Sequence, residues 1–222
     1  MGTITDIAKQ KRNPTRVSVF IDGEFVLGLD AVTAVAARIK IGDEITPERL
    51  KEVSHKSEVN SAFERAVGYL SASPRATLEI KRYLKDKGYD ASVVGEVIER
   101  LEQYRYIDDR AYAKSYIKSK SKKYGKIRLS AELRKRGVAA DIISELLEDD
   151  DFEDEFDGYN GYDEDDGAVE TARRYLRTHK SAEVPKLKRF LAGRGFTWDS
   201  INAAVRTLSD EGAFTPPDED YD

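Results

Sequence analysis

The chain has 222 residues, with 37 Lys+Arg against 42 Asp+Glu for a net charge of −5, and no cysteine. The missing cysteines exclude a disulfide framework and any Cys-ligated zinc or iron–sulfur site, and a reducing, cytoplasmic setting is the expectation. His55 and His179 are the only histidines, which excludes a His-rich metal site, and no apolar run approaches the ~20 residues that span a bilayer.

MGTITDIAKQKR at the start has no apolar core of the kind a secretory leader needs. In RVSVFIDGEFVLGLD (16–30) Val17, Val19 and Ile21 alternate with polar or outward positions. Asp22-Gly23 is a two-residue turn signal, and Phe25, Leu27 and Leu29 alternate after it. The spacing predicts a hairpin, with residues 3–10 as a third strand, packed against something larger because a lone hairpin is marginal in water. Ala31 to Arg38 reads as helix, and Thr46-Pro47 opens another, Thr46 as its N-cap and Pro47 in its first turn. Ser73 before Pro74 is a candidate N-cap of a later helix.

From residue 58 apolar residues recur at helical spacing, and Gly88, Gly137 and Gly195 each follow a basic amphipathic run. Aligned on these glycines, the chain repeats itself. Eight and four residues before them stand Ile80/Leu84, Leu129/Leu133 and Leu187/Leu191, one helical turn apart on a shared buried stripe. One before stand Lys87, Arg136 and Arg194, cations that complement a helix C-terminus. One after stand Tyr89, Val138 and Phe196, the apolar contact of a glycine C-cap. Six and ten after stand Val94/Ile98, Ile143/Leu147 and Ile201/Val205, the stripe of the next helix. Upstream lie Ala66 with Tyr69-Leu70, Ala113 with Tyr116-Ile117, and Ala172 with Tyr175-Leu176.

The expected fold is therefore mainly α: three tandem three-helix repeats in an elongated array behind a small N-terminal β-hairpin region. The expected divisions are 1–57 for the hairpin region and short helices, 58–104 for repeat 1, 105–149 for repeat 2, 150–166 for an acidic disordered linker, 167–212 for repeat 3 and 213–222 for an acidic tail. Asp108, in Tyr106-Ile107-Asp108-Asp109, is expected to cap the first helix of repeat 2.

Charge is segregated along this plan. Residues 1–148 hold 28 basic and 22 acidic side chains, 149–166 hold 11 acidic and no basic ones, 167–213 hold 9 basic and 5 acidic, and 214–222 hold 4 acidic. A positive body with an acidic insert and tail could attract polyanions while the acidic segments oppose or screen them. Those segments could serve as an internal polyanion that competes for the basic faces.

The run Tyr69-Leu70, Pro74-Arg75, Leu84-Lys85-Asp86-Lys87-Gly88-Tyr89, Val97-Ile98-Glu99-Arg100-Leu101, Tyr106-Ile107-Asp108-Asp109, Tyr112-Ala113 and Leu133-Arg134-Lys135-Arg136-Gly137-Val138 resembles the RecX family, bacterial regulators of the RecA recombinase. The likeness is strong over 58–149, looser over 167–212, and extends to the leading hairpin. It implies a helical modular protein with no catalytic activity of its own that binds in the groove of RecA filaments on DNA; a monomer without a cofactor is the further expectation. It implies inhibition of filament extension, ATP hydrolysis and strand exchange, and so a part in recombination, DNA repair and the SOS response. The acidic insert and tail depart from the shared pattern.

No P-loop, dinucleotide fingerprint or H-E-x-x-H motif is present. Asp108-Asp109 reads as capping before metal or acid–base chemistry, and the acidic run lacks the spacing of a Ca²⁺ loop. The informative side chains are basic: Lys81, Arg82 and Lys85; Lys122, Lys123, Lys126 and Arg128, then Arg134 and Lys135; Arg173, Arg174 and Arg177; and Lys186, Lys188 and Arg189. Each group reads either as contact with phosphate or acidic protein surface, or as a solvated helix face with Glu partners. The Lys122–Arg128 cluster favours contact, since no acidic residue lies between Asp109 and Glu132. Tyr69, Tyr116 and Tyr175 read as core packing ahead of base-stacking platforms. Two classes of function stay open: a RecX-like modulator of RecA filaments with at most weak direct DNA contact, or a helical repeat protein that binds nucleic acid without a dedicated protein partner.

Overall fold

A computed structural model describes residues 1–11, 13–148, 162–179 and 183–213. Ten helices and one four-stranded sheet lie among the described residues, and the chain divides into two compact units, Met1–Asp108 and Asp109–Asp222. The expected linker over 150–161 and most of the expected tail, 214–222, lie outside the described residues.

The first unit opens with strands β1 (Gly2–Gln10), β2 (Asn13–Ile21) and β3 (Glu24–Asp30). Helix α1 (Ala31–Ala36) and the short strand β4 (Glu44–Ile45) follow, and the sheet runs β3-β2-β1-β4, antiparallel throughout. Asp22 and Gly23 both have positive φ (52° and 87°), as a tight hairpin turn demands. Val17, Val19 and Leu29 face a core closed by Ile4, Ala34, Ile45 and Val53. Phe25 breaks the alternation: a register shift between Val19 and Phe20 pairs Phe20 with Phe25, and their rings meet edge to face on the exposed tip.

Helix α2 (Pro47–Leu70) begins as its sequence requires, with Thr46 Oγ1 accepting from the Arg49 amide at 3.2 Å. It then runs unbroken for 24 residues, so the expected boundary at 57/58 falls inside it. Val53 belongs to the sheet core, while Val59, Ala62 and Ala66 belong to the core of the helices behind it. Polar contacts bind the two together. Ser57 Oγ accepts from the Asp30 amide at 2.6 Å, Asn60 donates to Thr33 Oγ1 at 2.8 Å, and Arg100 donates to Asn60 at 2.8 Å.

Helices α3 (Thr77–Asp86) and α4 (Ala91–Gln103) complete the first three-helix set. Ser73 is not the cap of α3. Ala76 holds that position, fully buried, and the Glu79 carboxylate reaches back to its amide at 3.1 Å. A residue before proline is disfavoured in the helical region, and burial of the Ala76 methyl decides where the helix begins.

The second unit contains α5 (Asp109–Lys120), α6 (Lys126–Arg136), α7 (Ala140–Glu148), α8 (Glu164–Thr178), α9 (Val184–Gly193) and α10 (Trp198–Asp210). Helix α5 opens directly after Asp108. Helix α8 opens at Glu164, inside the stretch expected to be linker.

The repeat is physical. Ile80, Leu84, Leu129, Leu133, Leu187 and Leu191 are each 0% exposed, as are Ala66, Ala113 and Ala172. Gly88, Gly137 and Gly195 have φ of 88°, 89° and 82°. At each, the glycine amide donates to the carbonyl three back and the next amide to the carbonyl five before it, a Schellman closure: Tyr89 to Leu84, Val138 to Leu133, Phe196 to Leu191. Helix α4 ends the same way, but with Arg105 in the left-handed position (φ 56°), where Gly212 serves α10 (φ 70°).

A left-handed non-glycine residue costs about 1 kcal/mol. Arg105→Gly is expected to recover part of this, a net gain of roughly 0.5 kcal/mol after the added freedom of the unfolded chain. Thermal unfolding followed by circular dichroism should shift upward by a few degrees.

Candidate functional site

In the first unit Lys81, Arg82 and Lys85 are exposed on α3, and no ion pair holds them among the described residues. Tyr69 stacks on Tyr83 at 4.1 Å and 9°, with Arg75 4.7 Å over the Tyr69 ring and Lys87 5.5 Å from Tyr83. The repeated tyrosine is thus half-buried and packed against the repeat's second helix, with a cation on its rim. The third repeat echoes it: Tyr175 stacks on Phe190 at 4.3 Å and on His179 at 4.2 Å, and Arg194 lies 5.0 Å over Phe190. In the second, Glu132 stands in place of the ring, and Arg136 lies 5.1 Å over Tyr116 itself.

The remaining candidates belong to the second unit. Four are paired with glutamates: Lys122 with Glu170 at 3.3 Å, Arg174 with Glu170 at 3.1 Å, Arg173 with Glu211 at 2.5 Å and Lys186 with Glu183 at 3.4 Å. Lys188 donates to Asn202 at 2.9 Å. These exposed pairs are worth at most ~1 kcal/mol each and yield readily to a stronger anion. Lys123, Lys126, Arg128, Arg134, Lys135, Arg177 and Arg189 have no ion pair among the described residues. The Lys122–Arg128 cluster therefore does meet a carboxylate, but one that lies 48 residues away on α8 rather than nearby in the chain.

This cluster spans the loop between α5 and α6 and the first turn of α6, and the loop is locked to the third repeat by main-chain contacts. The Gly125 amide donates to the Arg194 carbonyl and the Ile127 amide to the Gly195 carbonyl, both at 3.1 Å. A Cβ on Gly125 would stand 2.3 Å from Gly195 O and Phe196 Cα, and one on Gly195 would meet Arg128 Cβ at 2.5 Å. Glycine is required at both by close approach of two backbones. Tyr162 is buried, and its hydroxyl donates to the Tyr124 carbonyl at 2.9 Å. Thr171 Oγ1 donates to the Lys122 carbonyl at 2.9 Å.

Glu164 lies at the centre of this junction, 6% exposed. Its Oε1 accepts from the Lys126 amide at 2.7 Å and the Thr197 amide at 3.3 Å; its Oε2 accepts from Thr197 Oγ1 at 2.8 Å and Ser200 Oγ at 3.2 Å. Lys126 is the first residue of α6 and Thr197 the N-cap of α10, while Glu164 itself is the first residue of α8. One carboxylate therefore bridges the starts of α6 and α10 while its own residue opens α8, satisfying donors that a helix start otherwise leaves open.

Above the clamp stands Tyr124. Arg128 lies 4.1 Å over its ring and Lys123 5.2 Å from it. Burial pushes the phenol up, but the hydrogen bond to Lys123 and the charges of Arg128, Lys123 and Arg194 together hold it below its ordinary value. Sequence reasoning passed over Tyr124 and treated Arg194 only as a helix-end cation. Lys122-Lys123-Tyr124-Gly125-Lys126, an aromatic set among cations, is the signal that was available. Among the described residues no group of three or more His, Cys, Asp or Glu could hold a metal ion. No described helix is long and apolar enough to cross a membrane.

Glu164→Ala leaves four donors without their acceptor and is expected to cost roughly 2–4 kcal/mol. Glu164→Gln, which keeps one acceptor oxygen, should cost less. Urea unfolding of both variants against the parent chain measures this ordering.

Comparison with known proteins places the chain. The regulatory protein RecX N-terminal domain matches residues 2–46, the first RecX three-helix domain residues 62–101 and the second residues 108–147. Regulatory protein RecX of Bacillus subtilis (strain 168) is 32% identical over 217 residues, covering 95% of this chain and 79% of that one. Its counterpart in Clostridium perfringens (strain 13 / Type A) is 30% identical, covering 94% and 97%. A crystal structure of regulatory protein RecX superposes with a TM-score of 0.68 at 20% identity over 93% of this chain and all of that one. That of RecX from Lactobacillus salivarius gives 0.56 at 21%, over 68% and 97%. The chain belongs to the RecX family of regulatory proteins.

Proposed function

We propose that this protein is a non-catalytic, cytoplasmic regulator of RecA, binding as a monomer to RecA filaments on DNA and restraining their extension, ATP hydrolysis and strand exchange. Through that restraint it modulates recombination and DNA repair. The observation that carries the reading is the likeness to regulatory protein RecX along 95% of the chain, through both the strand region and the helical repeats. The repeated architecture supports it. A filament presents the same surface many times, and a chain that presents a basic helix face in each of several repeats can make several weak contacts that add through effective concentration. The cations free of ion pairs on α3 (Lys81, Arg82, Lys85) and α6 (Arg134, Lys135) are the contacts we assign to the filament, with Arg177 and Arg189 on the third repeat.

A second reading, binding to nucleic acid without a dedicated protein partner, is favoured by one feature: the cations around Tyr124 that no described carboxylate neutralises. The acidic insert bears on both. Six acidic side chains lie in residues 150–160, and the insert ends at Tyr162 and Glu164, beside the basic loop. It acts as an internal polyanion that competes for the basic faces.

Titration into a RecA reaction that hydrolyses ATP on single-stranded DNA tests the first reading. Inhibition well below one molecule per RecA protomer is expected for capping or disassembly, and near one per protomer for coating of the groove. Unimpaired hydrolysis at equimolar protein, with tight binding to bare DNA, would replace the first reading by the second. Deleting 150–160, which leaves Tyr162 and Glu164 in place, should raise DNA affinity at low salt and lose that effect at high salt. Unchanged affinity would remove the insert from the account.

A further inference from the structure

The cations around Tyr124 come from two different repeats. Lys123 and Arg128 flank Tyr124 on the loop and first turn of α6. Arg194 caps α9, its carbonyl bonded to the Gly125 amide next to Tyr124. Gly195, the residue after Arg194, touches Arg128 so closely that a Cβ there would come within 2.5 Å of Arg128 Cβ. Neither repeat alone holds this set.

Gathering like charges is unfavourable unless something neutralises them, and the carboxylates at hand are committed elsewhere. Glu164 is turned beneath the loop toward two amides and two hydroxyls. Glu170 is held by Lys122 and Arg174. Lys123, Arg128 and Arg194 have no ion pair among the described residues, and the Lys123 hydrogen bond and these three charges hold the Tyr124 phenol below its ordinary value despite its burial. Arg128 and Arg194 each lie over a ring face, Tyr124 at 4.1 Å and Phe190 at 5.0 Å. Stacking fixes a guanidinium while leaving its in-plane N–H groups free for an oxyanion. On the same face of α6 the cations continue to Lys135, seven residues and about 10.5 Å beyond Arg128 at 1.5 Å per residue. A row of that length suits a chain of phosphates better than one isolated anion.

We infer that Lys123, Arg128 and Arg194, arranged about the Tyr124 ring, form a phosphate-binding site for the backbone of a nucleic-acid strand. The site exists only while the second and third repeats are clamped together. It reads charge and not base sequence. It concerns bare DNA, goes beyond the filament reading and is tested first on DNA alone, with RecA inhibition as a second readout.

The experiment is fluorescence anisotropy of a labelled single-stranded oligonucleotide of mixed sequence, with the full chain, over a series of salt concentrations. Lys123→Gln, Arg128→Gln and Arg194→Gln are compared with Lys56→Gln, which alters a lysine paired with Glu52 in the first unit. Each of the three is expected to weaken binding by about tenfold at low salt and to reduce the slope of log K against log salt by about 0.7. Lys56→Gln should leave both unchanged. Thermal unfolding of every variant is measured alongside, and Lys123→Gln, on an exposed side chain, keeps the test valid if an arginine variant melts early. Parental affinity and slope in the natively folded variants would overturn the inference. So would loss of RecA inhibition with bare-DNA binding intact, which would assign the site to an acidic protein surface.

Discussion

The second unit depends on one buried carboxylate. Six helices could pack as two separate three-helix sets, each with its own core of two leucines at fixed spacing and a small alanine. Glu164 prevents that separation. It takes donors from the start of α6 and the start of α10 while itself opening α8, so the two sets share a hydrogen-bonded junction that neither can satisfy alone. The charge is tolerated in a buried place because four donors and the converging helix ends solvate it in place of water. The glycines at 125 and 195 then follow as steric necessities, since only residues without a Cβ let the two loops approach to amide–carbonyl distance.

Much of the fold was legible because it is periodic. A glycine C-cap, two leucines at fixed distance before it and an apolar residue after it are local demands, and local demands leave a repeating trace. The hairpin was legible for the same reason: Asp22-Gly23 admits positive φ where strands must reverse. The readings that failed depended on contacts remote in sequence. Ser73 has the chemistry of a cap, but the site goes to Ala76 because its methyl fills the core. Phe25 has the spacing of an inward residue, but a register shift turns it out. The unbroken course of α2 left no trace in the sequence because its two halves bury against different partners.

The candidate site was half legible. Basic clusters are visible as composition, and the one at 122–128 stands out by the lack of acidic residues nearby in the chain. Which of its members are neutralised was not visible, because Glu170 arrives from another helix. Glu164 was hidden in plain view among ten other acidic residues between 149 and 166, where charge density argued for a solvated segment. Only the geometry separates the one carboxylate that closes a junction from neighbours such as Asp163, whose side chain caps its own helix.

The unbroken course of α2 has a consequence for how the first unit comes apart. A rod of 24 residues, about 36 Å at 1.5 Å per residue, contributes Val53 to the sheet core and Val59, Ala62 and Ala66 to the helical core. Losing either core would strip one half of the helix of its apolar partner while the other half still held it in register. Partial unfolding therefore gains little entropy for the contacts it gives up, and strands and helices melt together as one cooperative body. The slowest-exchanging amides should then lie near the middle of α2, around Ser57 and Asn60, where side chains of α2 bond to Asp30 and Thr33 on the sheet side and to Arg100 on the helical side.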